Sequence, residues 1–351
     1  MKILTVSEAD LQIAAEALRA GKLVALPTET VYGLGADAFN PVALARVFEA
    51  KRRPTFDPLI VHIADLAGLD RLVDLSLLPG GAVEKVRLVA ERLWPGPLTL
   101  ILPKRPEVPD LATSGLATVA VRFPAHPVAR RLIELSTGAV AAPSANPFGY
   151  LSPTRAEHVV AQLGDRVDFI VDGGRCEVGV ESTVLDLSTG EPTILRPGGM
   201  PRERIEAAIG TVTVFDRSVA HPTSPGQLAS HYAPRAALEL YPYGALSPAD
   251  SSADEALLFF DGRSHRAYLA AASTAGRPAA LVRVLSERGS TVEAAANLFD
   301  VLHELDALGV HRIRAERAPE GGSLGASGAE CLAAAINDRL HKARTTTRAD
   351  T

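Results

Sequence analysis

Thr28, Glu29 and Thr30 place three hydrogen-bonding side chains on one short turn, directly after an apolar run at 22–26. Gly33 and Gly35 follow, where the backbone can turn sharply or come close to a ligand. A helix is predicted at 41–50, with Asn40 as its cap and Pro41 in its first position. It ends in Lys51-Arg52-Arg53-Pro54, and the strand predicted from Pro58 to Ile63 carries His62 near its far end. Strand, glycine-rich turn, helix, cationic cluster and second strand make a sensible plan for an anion site. Cations at a helix C-terminus also stabilise it without any ligand. The stretch holds neither a GxGxxG pattern nor a Walker lysine motif.

Further along, Thr118-Val-Ala-Val-Arg122 alternates like a half-buried strand, so Thr118 and Arg122 share one face. An arginine there can take a carboxylate bidentately. Pro143-Ser-Ala-Asn146 follows a short apolar strand, and its small residues would let a ligand approach the backbone; as a bare loop it reads as a turn capped by Ser144 and Asn146. No Ser-His-Asp or Cys-His arrangement stands out. Trp94, the one tryptophan, reads as a packing residue rather than a nucleobase platform.

The elements that must position these residues alternate irregularly. After a first helix capped by Ser7, short strands fall near 22–26, 58–63, 98–102, 118–122, 139–142 and 167–171. A hairpin is expected between 180–187 and 192–196. So many strands with few helices between them argue for a twisted mixed sheet, not a regular βαβ array. Residues 216–237 lose periodicity and are rich in proline. Residues 238–344 read as a separate, smaller α/β domain with strands at 257–260, 280–285 and 311–315 and helices at 291–308 and 328–343. Gly321-Gly-Ser-Leu-Gly325 resembles a phosphate loop loosely, and the tail 345–351 is expected to be disordered.

The chain has 351 residues, enough for two domains. It is 47% hydrophobic and 22% charged, with a formal net charge of −5, so no global basic character points to nucleic-acid binding. Its two cysteines, Cys176 and Cys331, lack metal-ligand spacing and suit a reducing cytosol. The N-terminal MKILTVSEADLQ lacks the apolar region of a signal peptide, and no run is long enough to span a membrane. A cytoplasmic location is the expectation.

Several motifs, in order, resemble a known family. They are PTETVYGLG at 27–35, Lys51-x-Arg53-Pro54 followed by PLIVHI at 58–63, PSAN at 143–146, ESTV at 181–184 and LRPG at 195–198. Over about residues 5–215 the chain resembles the YrdC-like threonylcarbamoyl-AMP synthases, and SPGQLASHYAP at 224–234 resembles their longer, two-domain form. The fold implied is α/β: a YrdC-like twisted mixed sheet with helices at 1–215, a linker acting as a lid over the active site at 216–237, and a smaller Rossmann-like α/β domain at 238–344.

The reaction implied joins L-threonine, bicarbonate and ATP into threonylcarbamoyl-AMP and pyrophosphate. That product is the donor for threonylcarbamoylation of adenosine beside the anticodon of certain tRNAs. The partners implied are these substrates and the transferase proteins that use the product. Mg²⁺ is expected with the ATP phosphates, and no tightly bound cofactor is expected. Threonine supplies the first nucleophile itself, so the work left to the protein is positioning and charge neutralisation.

By the resemblance, Thr30, His62, Arg122, Ala142 and Ser182 match the threonine-site positions. Arg53, Thr118, Ser144, Ser152 and Arg196 match the nucleotide-site positions, with Lys51 beside the phosphates and Lys51 and Arg53 as the catalytic cations. Tyr232 matches a residue that folds back over the nucleotide. Asp57 stands where many relatives have asparagine, and a carboxylate near triphosphate is unfavourable unless a cation bridges them. Two rival readings remain. One is a non-catalytic RNA-binding module. The other is a different carbamoyl-adenylate reaction, as in hydrogenase-maturation carbamoyltransferases, whose zinc-finger cysteines are missing here.

Overall fold

The computed structural model describes residues 1–215, 224, 226, 231–248, 255–275, 281–319 and 332–344. The glycine loop expected at 321–325, Cys331, most of the 216–230 stretch, the start of the last predicted helix and the tail 345–351 lie outside them. The chain divides into two compact units: Met1–Phe148 with Ser152–Ala229, and Gly149–Leu151 with Ser230–Thr351.

In chain order the first unit begins β1 (Lys2–Leu4), α1 (Glu8–Arg19), β2 (Val24–Leu26), β3 (Gly33–Asp37), α2 (Pro41–Lys51) and β4 (Ile60–Ile63). It continues α3 (Ala82–Leu93), β5 (Leu98–Pro103), α4 (Asp110–Thr113), β6 (Thr118–Arg122), α5 (Pro127–Leu135) and β7 (Ala139–Ala141). It ends α6 (Ala156–Leu163), β8 (Phe169–Val171), β9 (Thr183–Asp186), β10 (Thr193–Arg196), α7 (Arg202–Ile209) and β11 (Thr213–Val214). The strands form one 11-stranded sheet in the order β1-β8-β2-β3-β7-β4-β6-β5-β9-β10-β11. Parallel pairs such as β4·β6 and β5·β9 sit among antiparallel ones such as β4·β7 and β5·β6, so the sheet is mixed.

Strand parity sorts side chains onto two faces. Val61, Ile63, Leu98, Leu100, Leu102, Val119 and Val121 point to one face and join a large core with α2, α3, α6 and α7 residues. Trp94 belongs to that core, its indole N–H donating to the Leu98 carbonyl at 2.8 Å. Val24, Leu26, Val140 and Ala142 point the other way and pack under α1 and α5. Ile60, Ala120, Ile101 and Val184 share that second face further along. By the same parity His62, Arg122 and Thr99 lie on it too, in polar contrast to their neighbours.

One local expectation needs correcting. Gly33 and Gly35 do not make a turn; they are part of strand β3, paired with β2 and β7. Their smallness serves close approach. A Cβ at Gly33 would lie 3.0 Å from the Ala142 Cβ. One at Gly35 would lie 2.7 Å from Leu26 Cδ2 and 3.0 Å from Val140 Cγ1.

The second unit runs β12 (Ala237–Tyr241), β13 (Glu255–Asp261), α8 (Gly262–Ala275), β14 (Leu281–Ser286), α9 (Thr291–Ala307), β15 (Arg312–Glu316) and α10 (Ala333–Ala343). Its four described strands are all parallel, in the order β12-β15-β13-β14. Tyr232 belongs to this unit. Its ring lies 5.7 Å from that of Phe299, with the Arg339 guanidinium 5.1 Å from its centroid. Its φ of 64° is a left-handed conformation unusual for a tyrosine.

Gly35→Ala is expected to destabilise the first unit by about 1–3 kcal/mol, the usual cost of overpacking a filled core. A lowered unfolding midpoint in a thermal or urea scan checks this; an unchanged midpoint would show that β3 has slack.

Candidate active site

The site begins with register. In the parallel β4·β6 pair His62 sits opposite Arg122, and in the antiparallel β5·β6 pair Thr99 sits opposite Arg122. These three side chains therefore form a row across the sheet. Arg122 reaches from the row to the turn after β2, where its Nη1 donates to Thr30 Oγ1 at 2.8 Å. The Thr28 hydroxyl donates to the Val31 carbonyl at 2.6 Å, which leaves the Thr30 hydroxyl to donate to Thr28 Oγ1 at 2.8 Å. The turn is thus held by its own hydroxyls and offers Thr30 to Arg122.

Glu29, in the same turn, completes the arrangement. Its Oε1 lies 2.7 Å from Arg122 Nη2, and both side chains are buried. Burial, the largest single influence, pushes the Glu29 carboxyl up, but the Arg122 charge, its hydrogen bond and those of the Glu29 and Ala125 N–H groups together hold the group below the usual carboxylate range. His62 is buried as well. Burial, reinforced by the Arg122 charge, lowers its imidazole to about 3. Its Nδ1 lies 3.2 Å from the Ile60 carbonyl, and the Val140 backbone also bears on the ring, so the imidazole is held between two strands of backbone.

Ser182, just before β9, joins this end to the next. Its hydroxyl lies 2.8 Å from the Thr99 hydroxyl. Arg196, at the end of β10, donates from Nη2 to the Ser182 carbonyl at 2.9 Å and to its hydroxyl at 3.2 Å. Gly198 lets this happen: a Cβ there would lie 2.4 Å from the Ser182 carbonyl carbon. Ala142 follows β7 with its N–H donating to the Ile60 carbonyl at 2.9 Å, close to Gly33.

The cationic cluster lies at the other end of the β4·β6 pair. Lys51 closes α2, and Arg52 caps it in a left-handed conformation with φ of 52°. This kink turns Arg52 into solvent and sends Lys51 and Arg53 inward. Lys51 Nζ donates to the carbonyls of Ser144 and Asn146, and the Phe148 N–H donates back to the Lys51 carbonyl at 2.8 Å. Burial first, and then Arg53, push the Lys51 amine well down. Arg53 donates to the Asp57 and Pro58 carbonyls at 3.1 Å and 2.9 Å, and its Nη2 lies 2.8 Å from Asp57 Oδ2. Asp57 is fully buried; its carboxyl is raised by burial and opposed by Arg53, Lys51 and Arg196.

Ser152 donates to Glu181, a buried carboxylate that also acts on Lys51. Carrying the β4·β6 register back two residues sets Thr118 beside Pro58, at the Arg53 end. Thr118 and Arg122 are then about 13 Å apart along one strand.

The structure therefore gathers Thr30, His62, Arg122, Ala142 and Ser182 at one end and Lys51, Arg53, Asp57, Ser144 and Thr118 at the other, with Arg196 on Ser182 between them and Ser152 on Glu181. Tyr232 is found in the second unit with contacts of its own. Sequence reasoning did not assign Glu29, Thr99 or Glu181 to the site. Glu29 and Glu181 stood inside quoted motifs, and only the fold reveals their partners.

His62 generates a pH prediction. Its value is about 3 in the folded chain against 6.5 for a free imidazole. The unfolded chain therefore binds an extra proton as pH falls below 6.5, and folded stability declines from there toward pH 3. A His62→Gln variant should show a shallower acid decline in urea titrations. Equal slopes in both proteins would contradict a buried neutral imidazole.

Both parts of the chain match known families. Residues 16–198 match the Sua5/YciO/YrdC family, whose description reads "Telomere recombination", and residues 200–345 match the Sua5 C-terminal family, described as "Threonylcarbamoyl-AMP synthase, C-terminal domain". The threonylcarbamoyl-AMP synthase of Pyrococcus abyssi is 42% identical, over 96% of this chain and 95% of its own length. That of Bacillus subtilis is 41% identical, over 97% of this chain and 94% of its own. The crystal structure of P. abyssi Sua5 complexed with L-threonine superposes with a TM-score of 0.81 at 39% identity, covering 98% of this chain and 97% of that one. Matched along nearly its whole length, the chain belongs to the Sua5/YciO/YrdC family in its two-domain form.

Proposed function

We propose that this protein is a threonylcarbamoyl-AMP synthase, converting L-threonine, bicarbonate and ATP to threonylcarbamoyl-AMP and pyrophosphate. The observation that carries the reading is the pairing of an arginine set among threonine and serine hydroxyls with a cationic cluster one strand-length away. Arg122, Thr30, His62, Ala142 and Ser182 hold threonine. Lys51, Arg53, Asp57, Thr118, Ser144, Ser152 and Arg196 hold the nucleotide. The role of Tyr232 rests on the sequence resemblance alone.

The threonine nitrogen, once its ammonium has released a proton to solvent, attacks the bicarbonate carbon, water leaves, and the carbamate oxygen then attacks the α-phosphate to expel pyrophosphate. Arg53 and Arg196 neutralise the growing phosphate charge. Lys51 acts mainly through the 144–148 loop, because Nζ donates to two of that loop's carbonyls. Among the described residues no group of three or more His, Cys, Asp or Glu side chains is arranged to hold a metal ion. In this proposal Mg²⁺ enters with the phosphates of the nucleotide. Also among the described residues, no helix is long and apolar enough to cross a membrane. A cytoplasmic setting, with the tRNA-threonylcarbamoyltransferase proteins as users of the product, completes the proposal.

The direct test is pyrophosphate release that requires threonine and bicarbonate together; an RNA-binding module would release none. Lys51→Ala and Arg53→Ala should each cost activity about ten- to a hundredfold, the loss of one charge-assisted hydrogen bond of about 1.5–3 kcal/mol. Arg52→Ala, at a solvent-facing cap, should cost far less. Equal losses in all three would leave only a general basic patch.

The amino-acid pocket makes a second prediction. Valine leaves the hydroxyl partners unpaired, so its kcat/KM should fall by about 10⁴–10⁵, whereas serine, lacking one methyl, should lose only roughly 10–200-fold. Valine turned over as fast as serine would mean that the pocket reads shape alone.

A further inference from the structure

We infer that Glu29 is the group that reads the α-ammonium of the amino-acid substrate, so that Arg122 and Glu29 together recognise a zwitterion. This rests on the proposed threonine site and adds a residue to it.

Arg122 and Glu29 are 4% and 7% exposed, a buried ion pair left incomplete. Arg122 Nη1 is spent on Thr30, but Nε and Nη2 have no hydrogen bond of good geometry. Neither oxygen of Glu29 has one of good geometry either, although the Arg122 guanidinium and the Glu29 and Ala125 N–H groups lie near enough to lower its carboxyl. Buried charges in this state are costly, and native structures rarely keep several polar atoms unpaired side by side. The open edge of the guanidinium needs acceptors and the carboxylate needs donors. An α-amino acid brings both, a carboxylate with two oxygens and an ammonium with three protons.

The neighbouring groups cannot replace Glu29 as the anion. His62 is neutral, and burial first pushes the Cys176 thiol up to about 12, so it stays protonated. His126, whose imidazole is lowered by burial, faces the same carboxylate but carries no negative charge, and Glu177 beside it is exposed. Glu29 itself is held ionised by Arg122. It thus orients the nitrogen as a weak base rather than stripping its proton. A site for bicarbonate or a simple carboxylic acid would have no use for a buried anion next to its arginine.

The test is calorimetric titration of the full chain and of Glu29→Gln with three ligands: L-threonine, 3-hydroxybutanoate of matching configuration, which lacks the amine, and 1-aminopropan-2-ol, which lacks the carboxylate. The wild type should bind threonine about ten- to a hundredfold tighter than the deaminated analogue, the scale of one charge-assisted contact. Glu29→Gln should lose threonine affinity by a similar factor and bind the deaminated analogue as well as the wild type or better. Equal loss of both ligands would mean that Glu29 only supports the fold, and would overturn the inference alone. The wild-type ligand series stands even if the variant is unstable: equal affinity for threonine and its deaminated analogue also overturns it. No threonine binding by the wild type would overturn the proposed function and the inference with it.

Discussion

The site depends on one register. His62, Arg122 and Thr99 meet only because β4, β6 and β5 pair as they do. A slip of one residue would send Arg122 into the aliphatic core on the opposite face and bring Val121 to the row. That register is strongly specified, because Val119, Val121, Leu98, Leu100 and Leu102 are buried together in the main core. The apolar side of the sheet thus fixes the polar side, and the chemistry is positioned by residues that never meet a substrate.

Electrostatics at the other end follow from burial. Lys51, Arg53 and Arg196 are taken out of water together, and like charges so placed would repel without compensation. Asp57 and Glu181 provide it, Asp57 by direct pairing with Arg53. Asparagine at 57 could accept the same hydrogen bonds but could not balance the charge. A polyphosphate that engages Arg53 meets this resident carboxylate, so its arrival favours a proton on Asp57 or a cation between the two. The raised Asp57 carboxyl already leans toward the protonated form.

Much of this was legible in the chain, where local rules apply. The α2 boundaries followed from Asn40, whose Oδ1 accepts the N–H groups of Val42 and Ala43, and from the proline after the basic cluster. Period-two alternation placed Thr118 and Arg122 on one face. For Gly33 and Gly35 the sequence leaves both turning and close approach open, and only the neighbours Ala142, Leu26 and Val140 tell that close approach applies. Strand β12 and helix α8 are not read from the sequence; β12 begins at the last residue of the stretch taken as a linker, and the apolar face of α8 is diluted by small and polar residues. The partners of Glu29, read only as one of three polar side chains on a turn, and of Thr99 are hidden for a different reason. They lie 93 and 83 positions away, at Arg122 and Ser182, which no local pattern reveals.

The strand order also shapes how the protein is made. Strands β1 and β2 do not pair with each other; both take β8 as a neighbour, Lys2 and Val24 each lying opposite Phe169. During synthesis at about 5–20 residues per second, the N-terminal strands wait roughly 7–30 s for that partner to emerge. Through that interval β1 has no strand on either side and β2 keeps one unpaired edge. The nascent first unit is therefore open to pairing with another chain until its own residue 171 leaves the ribosome.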